Sequence, residues 1–524
     1  MTRKGKFFNS KLLASILLIL TVIGAILFRA SRSNWVFIGT TVGYNALPTV
    51  LLGLIALCAA LIGIHLKLIL DKCNLCHSRA YKAAFIVLSA VSCIMIVFTI
   101  IYAIGLATSE SGEVFLLDLK KTLTESSLLL TVPFFALFYQ AFSPKVKKTI
   151  AILSVAAIII LGINQFFPLS AYKITSTPMV IDNGNEYSIV FSTSDCGTAW
   201  AEYTYNGKEY KVYDNTGGRK IGDSKIHSVF VPYEHLRNNT YKIGSTRVIE
   251  EFSYGSRTGK TVKSDEYTFT YNSSENQTWL VISDWHTMLD TAYKAIDNLD
   301  SDYDAVIMLG DASPGVDFEE QVITNTVQFG GEVSEGTKPV LYVRGNHETR
   351  GSYAKDLPTA LGMEQFYYTT DIGPYSFIVL DSGEDKDDSH IEYGGMTDYN
   401  TYRADMIDWL EDVEVKNENV IALSHSWEIS SVEEDLSYRG WSELDRLGTR
   451  LLLSGHEHKC RFLGEKEGKE KELKQMYPDI IGYVDGGKSD KNYVASMLSL
   501  KKDGFEIYAV DNNGKVFANE KFEW

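Results

Sequence analysis

The stretch that decides the fold is Pro339-Val340-Leu341-Tyr342-Val343-Arg344-Gly345-Asn346-His347-Glu348. Its apolar part, residues 339–343, predicts a short buried strand, and polar residues begin where that strand ends. Gly345 lets the backbone turn tightly, which presents Asn346 and His347 side by side at the mouth of the strand. An amide oxygen and an imidazole in that position offer a metal ligand and a proton carrier. Gly and Asn are also common in ordinary turns, so the neighbouring sequence has to decide between the two interpretations.

Apolar strands alternate with helical stretches on both sides of this motif. The pattern predicts strands over residues 279–282, 305–309, 340–343, 377–380, 420–423 and 451–453, and helices over residues 291–299 and 404–413. Such alternation is typical of a layered α/β domain, which we assign to residues 278–524.

Five of the predicted strands are followed by residue types that bind metals. In chain order the motifs are Asp284-Trp285-His286, Gly310-Asp311, Gly345-Asn346-His347-Glu348, Ser424-His425 and Gly455-His456-Glu457-His458. The carboxyl ends of strands in such a sheet form one edge, where ligands usually bind. Because residues two apart in an extended chain point to the same side, Asp284 with His286, and His456 with His458, can each face one metal cluster.

The five motifs together resemble the calcineurin-like metallophosphoesterase superfamily, over about residues 279–517. The resemblance implies an αββα fold in which Asp284, His286, Asp311 and His458 hold one metal ion. It implies that a second ion is held by the set Asp311, Asn346, His425 and His456. Asp311 would then bridge the ions, and His347 would be the catalytic imidazole that contacts the phosphate or protonates the leaving oxygen.

A β-rich segment before the α/β domain is similar to the arrangement in purple acid phosphatases. Two features depart from that subfamily: His286 replaces the expected Gly, and Gly310-Asp311-Ala312-Ser313-Pro314 lacks the Tyr that colours those enzymes. We therefore expect a colourless site of the ordinary superfamily type.

The ligand set predicts a two-metal mechanism. Two divalent ions bridged by Asp311 would lie roughly 3.5 to 4 Å apart, and a hydroxide shared between them would attack phosphorus. His347 is then free to act as a general acid. Imidazole and carboxylate ligands suit Mn, Fe, Zn or Co without selecting one of them.

Residues 171–272 show short alternating runs rich in Tyr, Val, Thr and Ser, separated by Gly, Asn and Asp turns. This pattern predicts a small β-sandwich. Residues 227–241 also resemble the late part of a fibronectin type III-like domain.

Residues 1–168 have a different composition, with a net charge of +10 against −26 for the remainder. Five apolar runs, at about 12–28, 47–66, 83–107, 127–142 and 150–167, approach the roughly 20 residues that span a bilayer. We therefore expect a multi-domain membrane protein with five transmembrane helices, followed by the sandwich and the phosphoesterase domain. The first run could instead be a cleaved signal peptide, although residues 28–32 make a poor cleavage site.

Lys and Arg are concentrated in alternate short loops, which predicts a cytoplasmic N-terminus and a multi-pass protein of the cell membrane. Five crossings would then place the catalytic domain outside the cell. The alternative of a cytoplasmic catalytic domain stays open.

The acidic balance of the remainder argues against nucleic acid as a partner, which would require a basic surface. A small phosphoester or a phospholipid headgroup is the expected substrate. Arg350, His390 and Trp427 lie just beyond motif positions and are weaker candidates for substrate contacts. Cys196 and Cys460 either form a disulfide or remain free thiols.

The function that this sequence predicts is hydrolysis of phosphomonoesters or phosphodiesters by a membrane-anchored, outward-facing phosphoesterase with two metal ions. The alternative is a membrane sensor or signalling protein that uses a phosphoesterase-like domain for binding. A sensor would usually have lost ligands, and none of the superfamily ligands is missing from this sequence.

Overall fold

The computed structural model describes residues 171–252, 255–487 and 491–524. The five predicted membrane segments, between residues 12 and 167, lie outside the described residues. Within the described part, no helix is long and apolar enough to cross a membrane. The longest helix there, Tyr399–Asp412, has 14 residues, which is about 21 Å and short of a hydrocarbon core of roughly 30 Å. The structure therefore does not support the predicted fold class of a five-helix membrane protein. It does not support the multi-pass localisation that followed from that prediction either.

The described residues form mainly strands, with short helices between them. The strands in chain order are β1 Met179–Asp182, β2 Tyr187–Ser192, β3 Gly197–Tyr205, β4 Lys208–Tyr213, β5 Asn215–Thr216, β6 Arg219–Lys220, β7 Ile226–Val231, β8 Asn239–Phe252, β9 Gly255–Lys263, β10 Tyr267–Phe269, β11 Gln277–Ile282, β12 Ala305–Met308, β13 Pro339–Tyr342, β14 Tyr368–Ile372, β15 Tyr375–Leu380, β16 Asn419–Ser424, β17 Thr449–Ser454, β18 Arg461–Phe462, β19 Ile481–Val484, β20 Val494–Lys501, β21 Gly504–Asp511 and β22 Val516–Glu523.

The α-helices are Tyr233–Leu236, Leu289–Asp297, Glu319–Val322, Phe329–Ser334, Leu357–Leu361, Tyr399–Asp412, Glu434–Arg446 and Lys469–Met476. A π-helical stretch, Ile323–Gln328, joins two of them, and 3₁₀ turns cover His347–Thr349, Ala354–Asp356 and Ile391–Tyr393.

Three larger sheets organise these strands. The first has nine strands in the order β22-β21-β20-β11-β12-β13-β1-β2-β7, and the second has six in the order β14-β15-β16-β17-β19-β18. The third contains β10, β8, β3 and β4, with β9 paired to β8. Strands β11, β12 and β13 run parallel to one another, as do β15, β16 and β17. The loops after these parallel strands carry the predicted site.

The nine-stranded and six-stranded sheets contribute to one continuous apolar core. Trp279 of β11 and Phe377 of β15 meet in this core, with ring centroids 4.8 Å apart. Alternate residues of the six-stranded sheet, such as Ile378, pack instead with Met406 and Trp441 of the two long helices. Both faces of β12 and β16 are covered by other elements. Their sequences are therefore nearly continuous apolar runs rather than an alternation of apolar and polar residues.

Most strands between residues 171 and 272 divide between two sheets, and β5 and β6 form a separate two-stranded one. Strands β1, β2 and β7 belong to the nine-stranded sheet, and β3, β4, β8 and β10 to the five-stranded one; the two layers share an apolar core. Strand β1 pairs in parallel with β13, with Ile181 opposite Val340. One sheet therefore crosses the predicted boundary between the sandwich and the phosphoesterase domain. The fibronectin III-like character is not confirmed, and the boundaries 171–272 and 278–524 remain predictions.

Candidate metal centre

The predicted ligands lie in loops that follow the parallel strands. Asp284 and His286 come after β11, Asp311 comes after β12, and Asn346 comes after β13. His425 follows β16 directly, and His456 and His458 follow β17. Two sheets thus present seven side chains at one edge, because the strands of both end there.

These side chains form two groups of possible metal ligands that share one carboxylate. Ligand atoms of Asp284, His286, Asp311 and His458 lie within 4.8 Å of one another, and so do those of Asp311, His425 and His456. The shared carboxylate is central: Asp311 Oδ2 lies 3.2 Å from His425 Nε2 and 3.5 Å from His286 Nε2.

Asn346 completes the second group. Its Oδ1 lies 3.1 Å from His425 Nε2 and 3.1 Å from His456 Nδ1. The structure therefore brings together all seven residues that the sequence motifs nominated as ligands.

The backbone at this edge is strained. Among the described residues, eleven residues other than Gly have positive φ, and five of these are Asp284, His286, Asp311, His456 and His458. A left-handed conformation costs an L-residue roughly 1–2 kcal/mol, and such strain persists mainly where function requires it. Its concentration on five ligand-type residues supports a functional role for this edge.

The donor atoms fit metal ions better than they fit one another. Asp284 is fully buried, and its Oδ1 has no hydrogen-bond partner among the described residues. The nearest imidazole nitrogens, His458 Nε2 and His286 Nε2, lie 3.5 Å and 4.0 Å away, and these two nitrogens are 3.3 Å apart. A buried carboxylate oxygen without a donor is costly, and a cation between these three atoms would satisfy it.

The protonation states agree with this interpretation. Burial lowers the pKa of His286 and of His456 to about 4, which keeps both imidazoles in the neutral form that binds metals. Burial also opposes a proton on His425, but the Asp311 carboxylate raises the pKa of that imidazole to about 10. A metal ion would take the place of that proton.

Glu348 holds two of the loops together from behind. Its carboxylate accepts hydrogen bonds from the backbone N–H groups of Asp311 at 2.8 Å, Ala312 at 2.6 Å and Gly345 at 2.9 Å. Gly345 leaves room for this contact, because a Cβ there would lie 2.2 Å from Asp311 Oδ1. The sequence motif contains Glu348, but only the structure gives it this supporting role.

Asp284 is fixed in the same manner through its other oxygen. Asp284 Oδ2 accepts hydrogen bonds from Ser283 Oγ at 2.6 Å and from the His456 N–H at 2.9 Å. These two bonds orient Oδ1 toward the imidazoles of His286 and His458.

His347 lies beside the ligand groups and belongs to neither. Its Nε2 is 3.9 Å from Asp311 Oδ2, and its Nδ1 is 2.9 Å from the Pro314 carbonyl oxygen. The side chain is 26 % exposed, so the imidazole can reach a molecule bound over the ligand cluster.

The three weaker candidates have different surroundings. Arg350 Nη1 lies 3.2 Å from His347 Nε2. Trp427 is only 6 % exposed, and its indole N–H donates to Glu457 Oε1 at 2.9 Å, so it supports the loop that carries His456 and His458. His390 lies in the loop before Tyr393, with ring centroids 5.8 Å apart. Substrate contacts by these residues remain predictions.

Cys196 and Cys460 are free thiols in the structure, which is the second of the two alternatives left open by the sequence. Cys196 Sγ donates to the Asp223 carbonyl oxygen at 3.3 Å, whereas Cys460 Sγ lies 3.1 Å from Tyr483 Oη. Each sulfur has its own polar neighbour in a different part of the fold.

The sequence analysis missed Glu384, which binds Arg350 behind His347 through Oε1 and Oε2, both at 2.6 Å. Glu384 follows β15, the one strand of the parallel set without a recognisable ligand motif. Its only signal in the sequence is a carboxylate after an apolar run.

Comparison with known proteins agrees with this geometry. Residues 278–460 match the family model described as calcineurin-like phosphoesterase. No curated protein matches the sequence.

Several solved structures match this chain at low similarity. "Structure of PhoD" matches with 11 % identity and a TM-score of 0.39, covering 67 % of this chain and 93 % of that one. "GAP50 the anchor in the inner membrane complex of Plasmodium" matches with 14 % identity and a TM-score of 0.35, covering 48 % of this chain and 89 % of that one. A cold-active protein-tyrosine phosphatase of a psychrophilic Shewanella species matches with 10 % identity and a TM-score of 0.24, covering 67 % and 100 %. The family match and the ligand cluster together identify residues 278–460 as a calcineurin-like phosphoesterase domain with side chains compatible with two metal ions.

Proposed function

We propose that this protein hydrolyses small phosphomonoesters or phosphodiesters with the help of two divalent metal ions. The observation that carries the proposal is the sharing of Asp311 between two groups of ligand atoms. One ion would be held by Asp284, His286, Asp311 and His458. The other would be held by the set Asp311, Asn346, His425 and His456.

The bound ions would supply an activated water for attack at phosphorus and would neutralise charge on the phosphoryl oxygens. Mixed imidazole, carboxylate and amide donors favour Mn, Fe, Zn or Co. The chain itself contributes the shape of the site, the fixed carboxylates and a proton donor.

His347 is the proposed proton donor. Attack of the water oxygen would form a new bond to phosphorus and release the water proton to solvent, while the bond from phosphorus to the leaving oxygen breaks and leaves its electron pair on that oxygen. His347 Nε2 would give the leaving oxygen a proton. The products are an alcohol and inorganic phosphate from a monoester, or an alcohol and a phosphomonoester from a diester. The Pro314 carbonyl holds Nδ1, so Nε2 is the ring nitrogen on the side of Asp311, where Arg350 Nη1 also contacts it at 3.2 Å.

Small substrates are favoured by charge. The chain carries a formal net charge of −16 at pH 7, which would slow the approach of a nucleic acid. A small phosphoester, such as a free phosphorylated metabolite or a lipid headgroup, meets this field with less repulsion.

The test uses the full-length protein with p-nitrophenyl phosphate and bis-p-nitrophenyl phosphate, after chelation and reloading with Mn, Fe, Zn, Co or Mg. We expect metal-dependent turnover of at least one ester, and a loss of about 10³-fold or more in kcat for Asp311→Asn. The matched control is Asp408→Asn, at a side chain that is 67 % exposed on the helix Tyr399–Asp412. Absence of turnover with every metal, or unchanged turnover in Asp311→Asn, would refute the proposal.

A further inference from the structure

A chain of charged side chains leads from His347 into the protein interior. Arg350 Nη1 lies 3.2 Å from His347 Nε2 and 3.4 Å from His347 Nδ1. The guanidinium therefore contacts the imidazole along the edge between its two nitrogens, while the Pro314 carbonyl holds Nδ1 at 2.9 Å. The ring has a partner on each of two sides.

Arg350 is itself held in a fork. Its Nε donates to Glu384 Oε2 and its Nη2 donates to Glu384 Oε1, both at 2.6 Å, and Nη2 also reaches Asp385 Oδ1 at 3.1 Å. Such a two-point contact between guanidinium and carboxylate fixes both the position and the plane of the arginine. Only Nη1 is left to face His347.

Glu384 is itself held in a fixed position, so it can orient the guanidinium of Arg350. Its side chain is 1 % exposed, and its Oε2 accepts a further bond from Thr349 Oγ1 at 3.3 Å. Its carbonyl oxygen accepts a bond from Arg403 Nη1 at 3.0 Å. Arg403 is buried and held in turn by both carboxylate oxygens of Glu433.

Arg350 requires the two-point contact with Glu384 because its side chain is partly exposed and would otherwise be free to move. The side chain is 28 % exposed at the edge of the cleft, and a free arginine loses about 2 kcal/mol of rotamer entropy when it is ordered. Without Glu384 the guanidinium would sample many positions, and His347 would lose its second partner.

We propose that Glu384 is a positioning residue of this site: it holds Arg350 against the His347 imidazole and so keeps Nε2 aligned with the departing oxygen. This inference rests on the proposed function, in which His347 protonates that oxygen. Alignment matters most for leaving groups that cannot depart without a proton, because a good leaving group carries its negative charge unaided.

The experiment compares kcat for p-nitrophenyl phosphate and phenyl phosphate in the full-length, metal-loaded protein. Phenol is the less acidic leaving group and depends more on the proton. For Glu384→Gln and Arg350→Gln we expect kcat to fall about 100-fold with phenyl phosphate and less than about 5-fold with p-nitrophenyl phosphate. Arg350→Lys should behave like Arg350→Gln, because an ammonium group cannot bind Glu384 at two points and still reach His347.

The matched control is Arg439→Gln. Arg439 also pairs with carboxylates, Asp408 and Glu411, but on the surface between two helices. We expect this variant to keep the wild-type ratio of the two kcat values.

Three results would overturn the inference. Equal losses of kcat on both substrates would show that Glu384 only supports the fold. An increase in KM on both substrates with kcat unchanged would make Arg350 a direct phosphate ligand. Unchanged kcat and KM in all variants would show that neither Glu384 nor Arg350 has a role in the reaction. If the wild type hydrolyses neither these monoesters nor bis-p-nitrophenyl phosphate with any metal, the proposed function fails and this inference with it. A wild type that is active and variants that lose both activities equally would refute the inference alone.

Discussion

Asp214 allows a test of the structure that does not involve the metal centre. It lies between β4 and β5 and is only 4 % exposed. Its Oδ2 accepts one hydrogen bond, from the Ser228 N–H at 3.3 Å, and the nearest imidazole nitrogen, His227 Nδ1, is 3.8 Å away. Burial lowers the pKa of His227 to about 3, so this imidazole is neutral near pH 7 and does not compensate the carboxylate.

Burial raises the pKa of Asp214 from 3.8 to about 7. The folded state therefore binds a proton that the unfolded state has released over the range from about pH 4 to pH 7. The stability contribution of the protonated group is complete below pH 3.8, decreases as the pH rises toward 7, and is lost above it. Between pH 5 and pH 8 the free energy of unfolding is therefore expected to fall by about 2 to 3 kcal/mol.

We expect Asp214→Asn to remove this loss, because an amide keeps an acceptor for Ser228 and carries no charge. The variant should gain about 2 to 3 kcal/mol relative to wild type on going from pH 5 to pH 8. Urea unfolding of the full-length protein, followed by tryptophan fluorescence at both pH values, measures the difference.

The control is Asp479→Asn, at a side chain that is 74 % exposed. It should show the same pH dependence as wild type. If Asp214→Asn and wild type lose stability in parallel between pH 5 and pH 8, the carboxyl group is not protonated in the folded protein and the argument from burial is refuted.

Three further predictions concern the metal centre and the core. Removal of metal by a chelator should lower the unfolding temperature measured by differential scanning fluorimetry. The buried Oδ1 of Asp284 then lacks any partner among the described residues. An unchanged unfolding temperature would contradict a resident metal. Gly345→Ala should reduce kcat at least 100-fold and weaken metal binding measured by calorimetry, since the new Cβ would lie 2.2 Å from Asp311 Oδ1. Gly315→Ala, where the nearest atom is 3.7 Å away, is its control and should keep wild-type values. Trp441→Ala should lower the free energy of unfolding in urea by about 3–5 kcal/mol. The fully buried indole fills the core beside the long helices and donates to the Trp427 carbonyl. A decrease of less than about 1 kcal/mol would contradict that packing.

The sequence allowed the candidate ligands to be placed together because they follow directly after strands. An apolar run that ends in Gly-Asp or Gly-His is a local pattern, and the chain direction places all such ends at one edge. The six strands predicted at residues 279–282, 305–309, 340–343, 377–380, 420–423 and 451–453 correspond to β11, β12, β13, β15, β16 and β17, with bounds that differ by at most two residues.

Interactions between distant segments were not predictable in this way. Glu384 and Arg350 are 34 residues apart, and neither local sequence indicates that the two side chains form an ion pair. The helix Glu434–Arg446 was also missed, because its buried residues, among them Gly440 and Trp441, are embedded in a strongly charged sequence. The parallel pairing of β1 with β13 depends on register between segments that lie far apart in the chain.

That pairing affects how the chain can be divided. The loop with Asn346 and His347 leaves the sheet from β13, and β13 is flanked by β12 on one side and β1 on the other. A fragment that began at residue 278 would lack β1 and would expose the backbone of β13 as an open edge, a template for aggregation. The segment recognised by the family model is thus shorter than the unit that can fold, and gene fusions or expression trials that cut between residues 272 and 278 should yield insoluble protein. By the same reasoning, insertions between the sandwich strands and β11 are harmless only if they leave β1 able to reach β13.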